Sequence, residues 1–105
     1  MYLHELVASI KPDTRIKAEK LLKSENFTSL KDFGDGYESM ITTEYGILLP
    51  QVVLTDDYAV SEYECQCRKG KRNDFCIHVA AMLLGIETML QADCDDYHTA
   101  VKKLE

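Results

Sequence analysis

Between residues 58 and 90 the chain reads YAVSEYECQCRKGKRNDFCIHVAAMLLGIETML. Within it, Cys65 and Cys67 are separated by one residue, and Cys76 and His78 follow after a spacer of eight residues. Three thiols and one imidazole form a full tetrahedral ligand set for Zn²⁺. Four protein ligands leave no coordination position for water or substrate. The pattern therefore predicts a structural zinc site with no catalytic role.

The residues on either side of this pattern predict a strand before it and a helix after it. Residues 58–67 show the loose two-residue alternation of a half-exposed antiparallel strand, which places Cys65 and Cys67 on the same face. Residues 77–90 form the clearest helix of the chain, because five apolar residues recur at helical spacing. These five are Val79, Met82, Leu83, Ile86 and Leu90. Zinc would thus join the end of a strand to the start of a helix.

The spacer between the two ligand pairs is basic. It contains four cations, Arg68, Lys69, Lys71 and Arg72. These cations would offset the negative charge of a zinc ion held by three thiolates, or they would contact the phosphates of a nucleic acid. Both interpretations remain open from the sequence alone.

Composition and the cysteine count suggest the class and the compartment of the protein. The chain has 105 residues, of which 46% are hydrophobic and 29% charged, as in an ordinary globular domain. No apolar run approaches the ~20 residues of a membrane span, and no secretory signal follows Met1, so we expect a cytoplasmic protein without a membrane partner. A reducing cytosol disfavours disulfides. Cys94 is expected to be a free thiol rather than a fifth ligand.

The remaining segments complete an α+β prediction for a single domain, residues 1–105. An N-terminal helical segment covers residues 1–24 and is divided where Pro12 begins a second helix. Antiparallel strands in a small meander cover residues 37–67, and the strand that contains Pro50 is either an edge strand or bulged there, because proline cannot donate a ladder hydrogen bond. An acidic C-terminal tail, residues 91–105, contains a short last helix, and its final Leu104-Glu105 is typical of an expression-vector remnant.

The ligand pattern and its flanks resemble the SWIM-type zinc finger domain. The matching residues are Cys65, Cys67, Cys76 and His78, with the strand before them and the helix sequence IHVAAMLL after them. Ile77 departs from the family, which commonly has a basic residue between the last two ligands. The resemblance covers residues 58–90, and the layout of the flanking segments is similar to the N-terminal region of bacterial SWI/SNF-type helicase-like ATPases.

This resemblance implies a zinc-binding accessory domain that contacts DNA or another protein. Net charge is −6, so DNA association would have to be local, through Arg68, Lys69, Lys71 and Arg72, and of low sequence specificity. The alternative is a zinc-stabilised protein–protein interaction module, bound to other domains of a helicase-like ATPase or to a separate partner. We expect no enzymatic activity, because the chain has no phosphate-binding Gly-rich Lys-Ser/Thr loop and the Cys76–His78 pair serves better as zinc ligands.

Overall fold

The computed structural model describes residues 2–34, 36–67 and 76–104. Within these ranges the chain forms four helices and one antiparallel sheet of five strands, which confirms the α+β prediction. The helices are α1 (Leu3–Ser9), α2 (Pro12–Leu22), α3 (Ile77–Ala92) and α4 (Tyr97–Leu104). The strands are β1 (Phe27–Asp32), β2 (Tyr37–Thr43), β3 (Gly46–Leu48), β4 (Gln51–Leu54) and β5 (Val60–Glu64).

The sheet is a meander in which β2 is paired with both β3 and β4. Ile41 lies opposite Leu48, and Tyr37 lies opposite Val52, so both short strands keep one register against β2. They are separated at Pro50, whose carbonyl oxygen accepts a 3.1 Å hydrogen bond from the Ser39 N–H. Proline has no N–H to donate in return. The run predicted as one strand with an edge or a bulge at Pro50 is thus a strand interrupted there without a shift of register.

Strand β1 was absent from the prediction, and a bulge explains why. The pairing of β1 with β2 shifts between Phe27 and Ser29. Phe27 and Leu30 are therefore both buried although they are three residues apart. A spacing of three does not fit the two-residue period by which strands are recognised in a sequence.

Helix α3 forms the centre of the core. It packs against the sheet, and α1, α2 and α4 all pack against it. Ten of its sixteen residues are buried. At Gly85 the neighbours come so close that an added Cβ would lie 2.5 Å from Leu30 Cδ2 and 3.3 Å from Leu22 Cδ1. Glycine is needed here for close packing of the helix on β1 and α2.

The two ends of the chain meet the two edges of the sheet. At the β1 edge, the Asp32 N–H donates to the Asp95 carbonyl at 3.1 Å, and Tyr97 of α4 is buried nearby. At the other edge, the Leu3 N–H donates to the Tyr58 carbonyl at 2.9 Å, just before β5. The acidic tail thus contains the short helix expected there, and this helix packs on the body of the fold. In the described ranges, none of the helices has the length and apolar character needed to cross a membrane.

Candidate metal centre

The four predicted zinc ligands lie together in the structure. One ligand atom from each of Cys65, Cys67, Cys76 and His78 is within 4.8 Å of the other three. With Zn–S bonds of 2.3 Å, two sulfurs of a tetrahedral zinc site lie about 3.8 Å apart. The observed cluster therefore needs only a small contraction to hold a zinc ion.

The first pair of ligands comes from the turn that follows β5. The strand ends at Glu64, three residues before the end predicted from the sequence, and Cys65 is buried directly after it. The chain bends at Gln66 and Cys67, and the Gln66 Oε1 accepts a 2.7 Å hydrogen bond from the Leu49 N–H. This contact attaches the ligand-bearing turn to the break between β3 and β4.

The second pair of ligands lies at the N-terminus of α3. Cys76 is the N-cap residue, and its Sγ accepts a 3.4 Å hydrogen bond from the Val79 N–H. The sulfur is the hydrogen-bond acceptor of this N-cap, as the side-chain oxygen of serine or aspartate is in an ordinary one. The positive end of the helix dipole also favours a thiolate at this position. His78 follows in the first turn of the helix, as the sequence predicted.

The thiols of Cys65 and Cys76 influence each other's proton affinity. A hydrogen bond with Cys65 lowers the pKa of Cys76 well below its ordinary value, and contacts with His78 and the Val79 N–H act in the same direction. The same hydrogen bond, together with burial, raises the pKa of Cys65. Without a metal, the cluster therefore concentrates negative charge on Cys76 and keeps the proton on Cys65.

His78 supplies a direct test of whether a metal fits the cluster. Its Nδ1 is buried, and no described residue forms a hydrogen bond with it. A buried nitrogen without a partner is costly, whereas a nitrogen that binds a metal is satisfied. The three sulfurs beside it are ligands typical of structural zinc sites. Donor set, spacing and this unpaired nitrogen all fit a Zn²⁺ ion, which would hold the end of β5 to the start of α3.

The fourth cysteine of the chain stands apart from the cluster. Cys94 lies after the C-terminal end of α3, and its thiol donates a 3.5 Å hydrogen bond to the Ala92 carbonyl. This position agrees with the expectation that Cys94 is not a ligand.

The predicted nucleic-acid contacts are Arg68, Lys69, Lys71 and Arg72, and these four residues lie outside the described ones. One supporting residue was missed from the sequence, Gln66, which fixes the ligand turn through Leu49. A glutamine between two cysteines carries no local signal of such a contact, because its partner lies 17 residues earlier in the chain.

A scan against protein-family models found no match, and searches of curated proteins and of solved structures found none either. The geometry thus defines the class of site: a candidate structural zinc centre, compatible with a zinc finger, in an α+β fold.

Proposed function

We propose that the chain is a structural zinc module that associates with DNA as an accessory domain of a helicase-like ATPase. One observation carries the proposal. The ligand atoms of Cys65 and Cys67 lie within 4.8 Å of those of Cys76 and His78, so a zinc ion would close the spacer between them into a loop. This spacer contains four of the twelve cations of the chain. A closed cationic loop suits contacts with the phosphate backbone.

The same proposal assigns no catalytic activity to this module. Four protein ligands complete the tetrahedral coordination of zinc. The role of the metal is then to hold the fold, and ATP hydrolysis belongs to another part of a longer protein. The resemblance to the SWIM-type zinc finger supports this assignment, and a cytoplasmic location, as expected from the sequence, would agree with it because cysteines stay reduced there.

A DNA titration of the zinc-loaded protein at two salt concentrations tests the proposal. The variant Arg68→Gln/Lys69→Gln/Lys71→Gln/Arg72→Gln should bind more weakly and with a flatter salt dependence, because each lost phosphate contact reduces the slope of log K against log salt by about 0.9. A control variant removes the same charge from four exposed lysines of α2, its C-terminal cap and α4: Lys20, Lys23, Lys102 and Lys103. Equal losses in the two variants would contradict a contact through the loop.

A second candidate function, zinc-stabilised protein–protein interaction, is favoured by a different observation. Residues 25–67, which include all five strands, contain nine Asp and Glu but a single cation, Lys31. An excess of acidic residues of this kind disfavours DNA and favours a basic protein as the partner. If the isolated domain shows no DNA binding at low salt but binds a protein, this second function replaces the first.

A further inference from the structure

One face of the sheet is not covered by any described helix. On β2, Tyr37, Ser39 and Ile41 are buried beneath the helices, whereas Glu38 and Met40 alternate with them and are exposed. The next strands continue this exposed face, because Thr42 lies opposite Ile47 and Glu38 lies opposite Gln51. We call this side of the sheet the outer face.

Apolar side chains are concentrated at the β2–β3 end of the outer face. Met40 is 38% exposed, Leu49 40% and Ile47 61%. We call these three residues the outer strip. Each is large enough to contribute substantially to an interface, and neighbouring exposed apolar side chains of this size are typical of binding surfaces. At the tip of the β2–β3 hairpin, Tyr45 is 93% exposed and extends this apolar surface.

A groove adjoins the outer strip on its β5 side. Its volume is about 460 Å³, and Leu6, Val53 and Val60 form part of its apolar lining. Glu62 and Glu64 also line the groove. Their strand positions face Val53 and Gln51, which places both carboxylates on the outer face. We call this feature the acidic groove.

We propose that the outer face docks a basic amphipathic segment of a partner protein. The apolar side chains of that segment cover the outer strip, and a Lys or Arg enters the acidic groove. The aliphatic stem of such a cation would lie on Val53 and Val60 while its charged head reaches Glu62 and Glu64. This inference rests on the second candidate function and specifies its surface and the chemistry of its partner.

Charge selects a basic protein over the other occupants of such a face. A second copy of the chain would bring the carboxylates of Glu38, Glu62 and Glu64 on two outer faces together, against Lys31 as the one cation of the strands. DNA phosphates would meet the same repulsion. A segment with apolar residues flanked by Lys or Arg would cover the outer strip and also pair with the carboxylates of the acidic groove.

The test is a titration of the ¹⁵N-labelled, zinc-loaded chain with a synthetic 14-residue peptide of leucine and lysine, the leucines at helical spacing. We expect micromolar binding and chemical-shift changes concentrated on the amides of β2 to β5. Ile47→Ser, alone and combined with Leu49→Ser, should weaken binding at least tenfold. Ile16→Ser is the matched control, since Ile16 is 65% exposed on α2. Loss of affinity in the control as large as that in Ile47→Ser overturns the inference.

The electrostatic part is tested with a second pair of variants. Glu62→Gln/Glu64→Gln should weaken binding and flatten its dependence on salt. Asp93→Asn/Asp95→Asn removes the same charge after the end of α3 and should leave the affinity within twofold. A leucine–glutamate peptide that binds as tightly as the leucine–lysine peptide overturns the inference, as does a dimer of the chain that the Ile47→Ser substitution dissociates.

Two outcomes separate the inference from the function on which it rests. If the peptide binds but its shift changes map away from β2 to β5, the outer face is the wrong surface and protein docking stands. If neither peptide binds, the inference is wrong, and the second candidate function is decided by the separate test of whether the domain binds a protein and no DNA at low salt.

Discussion

At the scale of single residues, the four cysteines have different roles although the sequence contains nothing but their spacing to distinguish them. Cys65 and Cys76 are buried in the cluster, Cys67 is half-buried beside them, and Cys94 lies apart after the end of α3. Removal of one ligand from a closed site leaves a vacant coordination position and a weaker complex.

The substitution Cys65→Ser should therefore abolish stoichiometric zinc binding, whereas Cys94→Ser should retain one zinc per chain. Zinc content after dialysis and competition with a chromophoric chelator measure this difference. Removal of a residue that only supports a metal ligand lowers metal affinity by about 10–100-fold. Because Cys65 is itself a ligand, we expect the zinc affinity of Cys65→Ser to fall by about a hundredfold or more. Equal zinc content in the two variants would show that the cluster is not the metal site.

The opposed proton affinities of Cys65 and Cys76 predict a pH dependence of zinc binding. Because the pKa of Cys65 is raised by its hydrogen bond with Cys76 and by burial, its thiol is protonated at neutral pH in the metal-free protein. Zinc binds the thiolate, so binding must release this proton. Affinity should rise about tenfold per pH unit for each proton released and fall as the solution is acidified. Calorimetry at pH 7 in buffers of different ionisation enthalpy counts the protons, and a count of zero contradicts the prediction.

At the scale of secondary-structure elements, close packing of α3 depends on the missing side chain at Gly85. In Gly85→Ala, the improved helix propensity is worth about 1 kcal/mol. The new Cβ would press on Leu30, whose side chain is fully buried and cannot move into solvent. Overpacking of this kind costs about 1–3 kcal/mol, so we expect a net loss of stability.

Urea unfolding measures this loss, and the double variant Gly85→Ala/Leu30→Val supplies its control. If the contact with Leu30 is the cause, the shorter valine makes room and the double variant is more stable than the sum of the single effects by about 1 kcal/mol. Simple additivity would indicate that the cost at position 85 has another origin.

The elements predicted well from the sequence are those whose signal is local. Pro12 begins α2, as expected, and Cys76 and His78 lie at the start of α3. The burial along α3 differs from the predicted core stripe in two ways: Ala80, Ala81 and Leu84 are buried outside the stripe, and Leu90, its last predicted member, is 36% exposed. A periodic stripe describes a helix with one buried face, whereas α3 is covered on several sides.

The features that were missed depend on partners distant in sequence. The inward position of both Phe27 and Leu30 requires the bulge opposite β2. The ligand turn after β5 is held by a hydrogen bond from the Leu49 N–H to the Gln66 side chain, 17 residues away in the sequence. Neither interaction leaves a local pattern of residue types, so a reading of the sequence alone could not locate them.

At the scale of the whole molecule, the zinc site is one part of a larger core. The radius of gyration is 12.5 Å, close to the ~13 Å of a compact domain of about 100 residues. Among the described residues, 23 hydrophobic side chains are buried, and Cys65 and Cys76 are the only zinc ligands in that set. Most of the core is therefore independent of the metal.

Removal of zinc with a chelator should accordingly lower the melting temperature without abolishing helical structure. At free zinc a thousandfold above the dissociation constant, the metal adds about 4 kcal/mol to stability, or very roughly 15–30 °C for a domain of this size. Thermal melts followed by circular dichroism at 222 nm measure both effects. If the chain is fully unfolded at 20 °C after chelation, the core does not fold without the metal and the prediction is wrong.

The proximity of the ligand thiols has a practical consequence for handling the protein. The Sγ atoms of Cys65, Cys67 and Cys76 lie within 4.8 Å of one another. In the metal-free protein an oxidant could join two thiols this close into a disulfide, which would remove both sulfurs from the ligand set. The zinc-free chain should therefore be purified and stored with a reductant, because an oxidised fraction would take up less than one zinc per chain.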